Sequence, residues 1–439
     1  MDLTEKQVAI PIKPFGPETF AYFHEIIGSH LKNYELPVRF VINVTDDRYH
    51  HCEISVLSGL NSDTMKRLGS IFDFVPRQIE CNTSFNVVFV VPTGIGAEIG
   101  GHAGDATPVV KALGEVCDYV ITHPNVVNAS DINEMTANTL YVEGSALARL
   151  LMGTVALQPI RSNRVLVVID DHEVEMFAND TVNAVSAGRA TYGLDCPKVL
   201  KLSPPLAMEA EFSVSGRAAG QINGFDRLDA VLRKSNGTFD AVAIASVIDF
   251  DEMYHEKYFR HGGSMINPWG GVEAMLTHAI SILYNVPTAH SPMLENQKIA
   301  DLDLGLVEPR LAAEAVSMTF IQCMLKGLHR SPRIILDPKI INTTGLVKAE
   351  NISCMIIPDK CLGLPTLAAL EQGITVIAVR ENKNIMQNDL KRLPWKAGQL
   401  IMVENYWEAL GVVTALKAGI VPASLRRPLA NTEIETTSF

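Results

Sequence analysis

The sequence predicts an α/β protein built on a largely parallel, doubly wound sheet, with a small α+β module at its N-terminus. From about residue 81 the chain repeats strand, long loop, helix, strand, which is the rhythm of crossover connections between parallel strands. The runs RVLVVI at 164–169 and AVAIASV at 241–247 are continuously apolar rather than alternating, as expected of strands covered on both faces. Glycine-, proline- and histidine-bearing loops follow the apolar runs, and open α/β sheets hold ligands beyond their C-terminal strand ends. Together these features read as Rossmann-like.

The 439 residues are 47% apolar and 20% charged, an ordinary globular composition with enough apolar residues for a large core. Lys and Arg number 37 against 49 Asp and Glu, a formal charge of −12. Phosphate-backbone binding needs clustered cations, and so does adsorption to anionic lipid. Neither nucleic acid nor a membrane is therefore an expected partner. The seven cysteines are scattered, and no CxxC pair occurs, which fits a reducing compartment. The start, MDLTEKQVAIP, lacks an apolar signal core. The uncharged stretch 315–325 is far shorter than the ~20 residues of a membrane span. A cytoplasmic protein is the expectation.

Residues 1–80 form the α+β module: a strand at 8–12, an amphipathic helix at 15–31, a hairpin from 38–44 and 52–57, and a helix opened by Asn61. Residues 81–425 form the core domain, with an optional division into lobes near 215–240, and 426–439 a flexible tail. Within the core the strands are expected at 87–91, before Thr122, at 164–169, 199–202, 241–247, 286–289, 353–357, 375–379 and after Leu400. Helices are expected from Thr107-Pro108, at the end of 133–151, from Asp170, before Lys234, at 272–284, from Glu308 with Pro309 at its first position, and at 366–372 before Gly373. The stretch 249–271 reads as a long polar loop.

The site signal is strongest at 86–131. After the first core strand the loop carries Thr93, Gly94, Gly96, Gly100 and Gly101, together with Glu98, His102 and Asp105. Glycines let backbone amides approach an anion, and the helix start at Thr107 adds its dipole. The plainer reading is a tight turn with glycines for backbone reasons alone. Neither GxGxxG nor GxxxxGK[ST] fits this spacing. Thr122-His123-Pro124-Asn125 and Asn128-Ala129-Ser130-Asp131 follow the next strand. Here His123 is a general base or metal ligand, or else a structural histidine; His290, at an equivalent strand end, carries the same alternatives. The run Asn267 to Glu273, with Gly270 and Gly271, reads as a second backbone-approach loop, and Arg310 as a cation for an anionic group. A divalent metal held by His102, His123 and His290 with a carboxylate from Glu98, Asp105 or Glu143 is chemically plausible, but no HExxH-type pair supports it. Asp170-Asp171-His172-Glu173 reads as a helix start rich in carboxylates, and Cys361 as a small core residue or a nucleophile.

The runs VVPTGIGAEIGGHAGDA and THPNVVNASD, with NPWGG and AHSP further on, resemble a bacterial family known only as a domain of unknown function, over residues 80 to 420. That family supplies no activity. GIGAEI at 94–99 also resembles the GIGPEI turn of isopropylmalate-dehydrogenase-like oxidoreductases, with Ala97 in place of proline. The leading expectation is an enzyme, of hydrolase or lyase type, acting on a small polar, anionic metabolite. The glycine loop, Thr107, Asn125, Asn128, Ser130, Glu273 and Arg310 bind it. His123 or His290 moves a proton, oriented by Asp105 or Asp131. The alternatives are an NAD(P)-dependent, metal-assisted dehydrogenase and a non-catalytic metabolite-binding or assembly protein. A homo-oligomer, such as a homodimer, is compatible with the apolar content.

Overall fold

The apolar runs assemble into two large sheets in a computed structural model that describes all 439 residues except 103–104, 128–129, 262–264, 318–319, 342, 430 and 438–439, and except the side chains of 130, 131, 261, 338 and 341. The chain opens with β1 (Asp2–Pro11), α1 (Thr19–Ser29), β2 (Leu36–Thr45), β3 (Tyr49–Ser58) and α2 (Ser62–Arg67). Next come β4 (Asn86–Phe89), α3 (Thr107–Val116), β5 (Tyr119–Thr122), β6 (Thr139–Tyr141) and α4 (Gly144–Leu151). The middle contains β7 (Ala156–Gln158), β8 (Val165–Asp170), α5 (Glu175–Tyr192), β9 (Val199–Leu202), β10 (Ala207–Phe212), β11 (Ala218–Asn223) and α6 (Phe225–Ser235). It continues with β12 (Ala241–Asp249), α7 (Glu252–His261), α8 (Trp269–Tyr284), β13 (Thr288–Met293), α9 (Gln297–Ala300), α10 (Pro309–Val316) and α11 (Phe320–Arg330). The last part holds β14 (Arg333–Ile335), α12 (Pro338–Ile341), β15 (Ile352–Pro358), β16 (Leu362–Gly363), α13 (Leu364–Gln372), β17 (Thr375–Val379), β18 (Leu400–Val403) and α14 (Tyr406–Lys417).

Six strands form a wholly parallel sheet in the order β18-β17-β15-β4-β5-β6. Sequence order runs outward in both directions from the pair β4 and β15. Val87, Val88, Phe89, Ile356 and Ile377 are fully buried there, which is why these strands read as continuous apolar runs. The larger sheet runs β16-β2-β3-β1-β11-β10-β12-β8-β9, with β13 on β12. Its β8, β9, β12 and β13 are parallel, whereas β1, β2, β3, β10 and β11 pair antiparallel. The expectation of a largely parallel, doubly wound sheet is thus corrected to a mixed α/β architecture. Its buried parallel strands read as apolar runs, but β10 carries Glu209 and Glu211 in alternation and β11 carries Gly220, Gln221 and Asn223, so neither gives such a signal. β1 of the N-terminal segment pairs with β11, so residues 1–58 share a sheet with the middle of the chain.

Local signals set several element ends. Asn61 accepts the Thr64 amide as N-cap of α2, and Gly373 closes α13 with φ +68°. Other expectations shift. The stretch read as a polar loop contains α7, whose Tyr258 and Phe259 are buried. The long helix from Glu308 is two, α10 and α11. Asp170 ends β8, and α5 begins only at Glu175.

Arg217, ahead of β11, is fully buried and bridges Glu5 of β1 and Glu53 of β3, each at 2.5 Å. Burial pushes the Glu53 carboxyl up, but Arg217 and the hydroxyls of Ser213 and Ser215 outweigh it and hold it below its usual value. Removing one partner strands a buried charge. Glu53→Gln is therefore expected to lower unfolding stability by about 3 kcal/mol in a urea titration. In the wild type this part of the stability is present above the ordinary carboxylate value of 4.5 and declines as pH falls below it.

Candidate functional site

Three neighbouring parallel strands deliver residues to one place. The loops after β4, β5 and β6 present Thr93, His123 and Glu143 along one wall of a cleft of about 850 Å³. Helix α8 forms the facing wall with Gly270, Glu273, Ala274, Thr277 and His278, spaced as one stripe of a 3.6-residue helix. His290 enters from β13, His102 from the glycine loop, and Glu314 from α10.

Glu143 is buried and caps α4, accepting the amides of Ser145 at 2.9 Å and Ala146 at 3.2 Å and the Ser145 hydroxyl at 2.5 Å. Its Oε1 lies 3.2 Å from His278 Nε2. Burial raises its pKa, but His278, the Ser145 bonds and Arg149 overcome this, and the carboxylate is held ionised below its normal range. The other His278 nitrogen, Nδ1, donates to the Val38 carbonyl at 3.2 Å. Both ring nitrogens thus face acceptors, which suits a doubly protonated ring, while burial draws the ring's pKa below 6.5. A side chain at residue 144 would place Cβ 2.8 Å from His278 Nε2, so glycine there permits the contact.

His123 Nε2 accepts the Val91 amide at 3.2 Å, which leaves the proton of the neutral ring on Nδ1. Burial pulls its pKa to about 4. His290 is buried, with Nε2 2.7 Å from the Ser246 hydroxyl. Its Nδ1 has no hydrogen-bond partner among the described residues and lies 3.8 Å from Glu273 Oε2. His102 Nδ1 is 2.8 Å from the Tyr258 hydroxyl, which donates onward to Glu314 at 3.3 Å. Burial, then Arg310, pulls His102 to about 4.

Of the residues expected from sequence, Thr93, Gly101, His102, His123, Asn125, Gly270, Glu273 and His290 line this cleft. His290 stands within β13, not beyond its end. Asn125 ties the loop together, donating to the carbonyls of Val91 and Gly100 at 2.8 Å. Gly94, Gly96, Gly100, Asp105, Thr107, Gly271 and Arg310 are not among the lining residues. The glycine loop is not an open anion cradle. The amides of Glu98, Ile99 and Gly100 donate to the Lys383 carbonyl, Asn382 Oδ1 and Asp105 Oδ1. Gly94, Gly96 and Gly100 have φ of +78°, +62° and +80°, and a Cβ on Gly101 would lie 2.1 Å from the Ala97 carbonyl oxygen. These glycines serve turn geometry and close packing. Gly271 packs against the Ala218 backbone, and Thr107 is buried at the first position of α3. Arg310 is ion-paired to Glu308 and Glu98. Asn128, and the side chains of Ser130 and Asp131, lie outside the described residues.

The metal expectation is corrected in its geometry. His102, His123 and His290 share the cleft, yet among the described residues no three His, Cys, Asp or Glu side chains group closely enough to hold an ion. One nitrogen of each ring is committed to protein instead, to Tyr258, the Val91 amide and Ser246. Cys361 is a buried thiol whose pKa burial raises well above normal. Asp170 accepts the Leu206 amide, and burial raises its pKa to about 7. The seven cysteines form no disulfide. His278 and Glu314 were missed from sequence. Stepping by four from Gly270 through Ala274 reaches His278, so the helical period held the signal once the helix start was moved back to Trp269.

Residues 86–426 match the family described as "Protein of unknown function (DUF3326)". The chain belongs to this family. A relative from Synechococcus, named an uncharacterized lipoprotein, is 33% identical over 348 residues, covering 78% of this chain and 93% of its own. No solved structure matches the chain. The lipoprotein name corrects the cytoplasmic expectation: composition and scattered cysteines describe the folded body and are silent on lipid attachment. Among the described residues no single helix is long and apolar enough to cross a membrane.

Two outcomes are expected here. Gly144→Ala forces His278 away from Glu143 and lowers stability by about 1–3 kcal/mol, read as a fall in Tm. Burial holds His50, His102, His123 and His255 at about 4, against 6.5 when unfolded. Unfolding takes up their protons, so their stabilisation is complete above about 6.5 and is lost as pH falls toward 4, at up to about 1.4 kcal/mol per pH unit for each ring. Urea titrations between pH 7 and 5 measure that slope.

Proposed function

We propose that this family member is an enzyme that acts on a small polar, anionic metabolite by acid/base chemistry of hydrolase or lyase type. One observation carries the reading: His290 lines the cleft, buried and fixed through Nε2, while its Nδ1 has no hydrogen-bond partner among the described residues and lies 3.8 Å from Glu273 Oε2. The Ser246 hydroxyl donates to Met208 Sδ at 3.0 Å. With the hydroxyl donating there, it accepts from His290 Nε2, and the lone pair rests on Nδ1, the nitrogen 3.8 Å from Glu273 Oε2. That tautomer is a general base, with Glu273 placed to stabilise the imidazolium once a proton is taken. The His102–Tyr258–Glu314 chain supplies polar contacts on the opposite side. The six-stranded parallel sheet supports the reading, because its strand order turns at β4 and β15 and open α/β sheets hold ligands at such a turn.

The test presents the purified chain with a defined library of small carboxylates and phosphate esters and follows depletion by mass spectrometry. Wild type is expected to consume at least one compound. His290→Gln should slow that turnover by about 10²-fold or more. Glu273→Gln should slow it less and shift the acidic limb of the pH profile. Undiminished turnover in His290→Gln removes this base from the mechanism, and no consumption by wild type defeats the enzyme reading for those substrate classes.

A further inference from the structure

A second cavity, of about 890 Å³, adjoins the cleft. Thr93, His123, Gly144, Ala274 and His278 line both, so the two spaces meet at the Glu143–His278 pair. The second cavity lies where the strand order of the parallel sheet turns. Val90, Pro92 and Thr93 follow β4, Ile357 belongs to β15, and Cys361 follows it. Ligands of open α/β sheets sit in that crevice. Its walls are apolar, with Phe40, Ile71, Leu364 and Met386 among them.

Two arginines border it, each with one buried nitrogen that lacks a partner among the described residues, Nε of Arg149 and Nη1 of Arg39. Arg149 is turned to the end of α8, donating to Asn285 Oδ1 at 2.8 Å and to the Ser281 carbonyl at 3.2 Å. Arg39 donates from Nη2 to the Thr93 carbonyl at 3.1 Å, its one hydrogen bond among the described residues. Its Nη1 is buried without a hydrogen-bond partner, and no carboxylate comes within ion-pair distance of it among the described residues. Burial, and then the charge of Arg217, pull its pKa to about 9, a fall that the more distant carboxylates of Glu5, Glu53 and Glu143 offset only in part. The start of α13 opens on the same cavity. This nine-residue helix has Gly363 as N-cap and no side-chain cap, so its dipole favours an anion there.

We infer that this cavity binds the apolar body of an amphiphilic anion, whose carboxylate or phosphate head pairs with Arg39 near the start of α13. An oxyanion there accepts a charge-assisted hydrogen bond from Nη1, stronger than one to a neutral oxygen. An occupant so held reaches past Thr93 and His123 toward the acid/base cleft. That this occupant is the substrate rests on the proposed function; the binding site itself does not.

Calorimetric titration of the full chain tests it with octanoate, octyl phosphate, 1-octanol and acetate. Octanoate or octyl phosphate is expected to bind at least about tenfold more tightly than octanol, which lacks the charge, and than acetate, which lacks the body. The better of the two anions identifies the head. Arg39→Gln should reduce anion binding to the level of octanol, while Arg39→Lys keeps part of it. His290→Gln should bind octanoate as wild type does, which separates this site from the catalytic reading. If Arg39→Gln does not fold, wild type and Arg39→Lys are compared along butanoate, hexanoate and octanoate, and affinity must rise with chain length. Equal binding of octanoate and octanol, wild-type anion affinity in a folded Arg39→Gln, a flat chain-length series, or no binding of either anion at about 5 mM overturns the inference.

Discussion

The buried carboxylate of Glu143 organises the middle of this molecule. It follows the outermost of three neighbouring parallel strands, satisfies the first amides of α4, and meets the His278 ring of α8. A buried carboxylate is costly unless ionic and hydrogen-bonding partners surround it, and here the partners come from two different helices. The position of α8 relative to the parallel sheet is tied to that requirement. Glu273 and His278 share the face of α8 that borders the cleft, so fixing one end of the stripe orients the other. The glycine at 144 is part of the same constraint, because the helix starts where the imidazole must come close.

The two sheets contribute different chemistry. Loops of the parallel sheet provide Thr93, His123 and the apolar crevice between β4 and β15. The mixed sheet provides His290 from inside β13, where a buried strand restrains the ring more than a loop could. The Arg217 cluster joins the first strands of the chain to β11 and so sets β2, which carries Arg39, beside the same crevice. An acidic chain thereby keeps a deeply placed guanidinium with no carboxylate in ion-pair distance among the described residues, next to His123, whose ring burial keeps neutral.

Much of the candidate site was legible because strand ends are legible. His102, His123 and His290 were picked out as ionisable residues after apolar runs, and all three line one cleft. The glycine loop was misread in its role. The glycines suggest backbone amides open to an anion, but amide direction depends on what packs around the loop, and here Lys383, Asn382 and Asp105 take the amides of Glu98, Ile99 and Gly100. Arg310 was chosen as an anion receptor by charge alone; Glu98 and Glu308 come close enough only in the folded chain to occupy it. Arg39 gave no such signal, since an arginine on an alternating strand normally faces solvent.

By itself the sequence determined the alternation of strands and helices, the continuous apolar runs of the buried parallel strands, several helix caps, the loops that carry the histidines, and family membership. These are local or one-dimensional properties, set by residue period, by the conformational freedom of glycine and by proline's missing donor. Tertiary structure alone decided the mixed pairing of the larger sheet and the commitment of each histidine's inner nitrogen. It also decided the meeting of Glu143 with His278 and the placing of Arg39 at the strand-order turn. Each of those depends on distances between residues far apart in the chain, where burial and partner geometry, not residue type, fix the charge a group carries and the side from which a ligand reaches it.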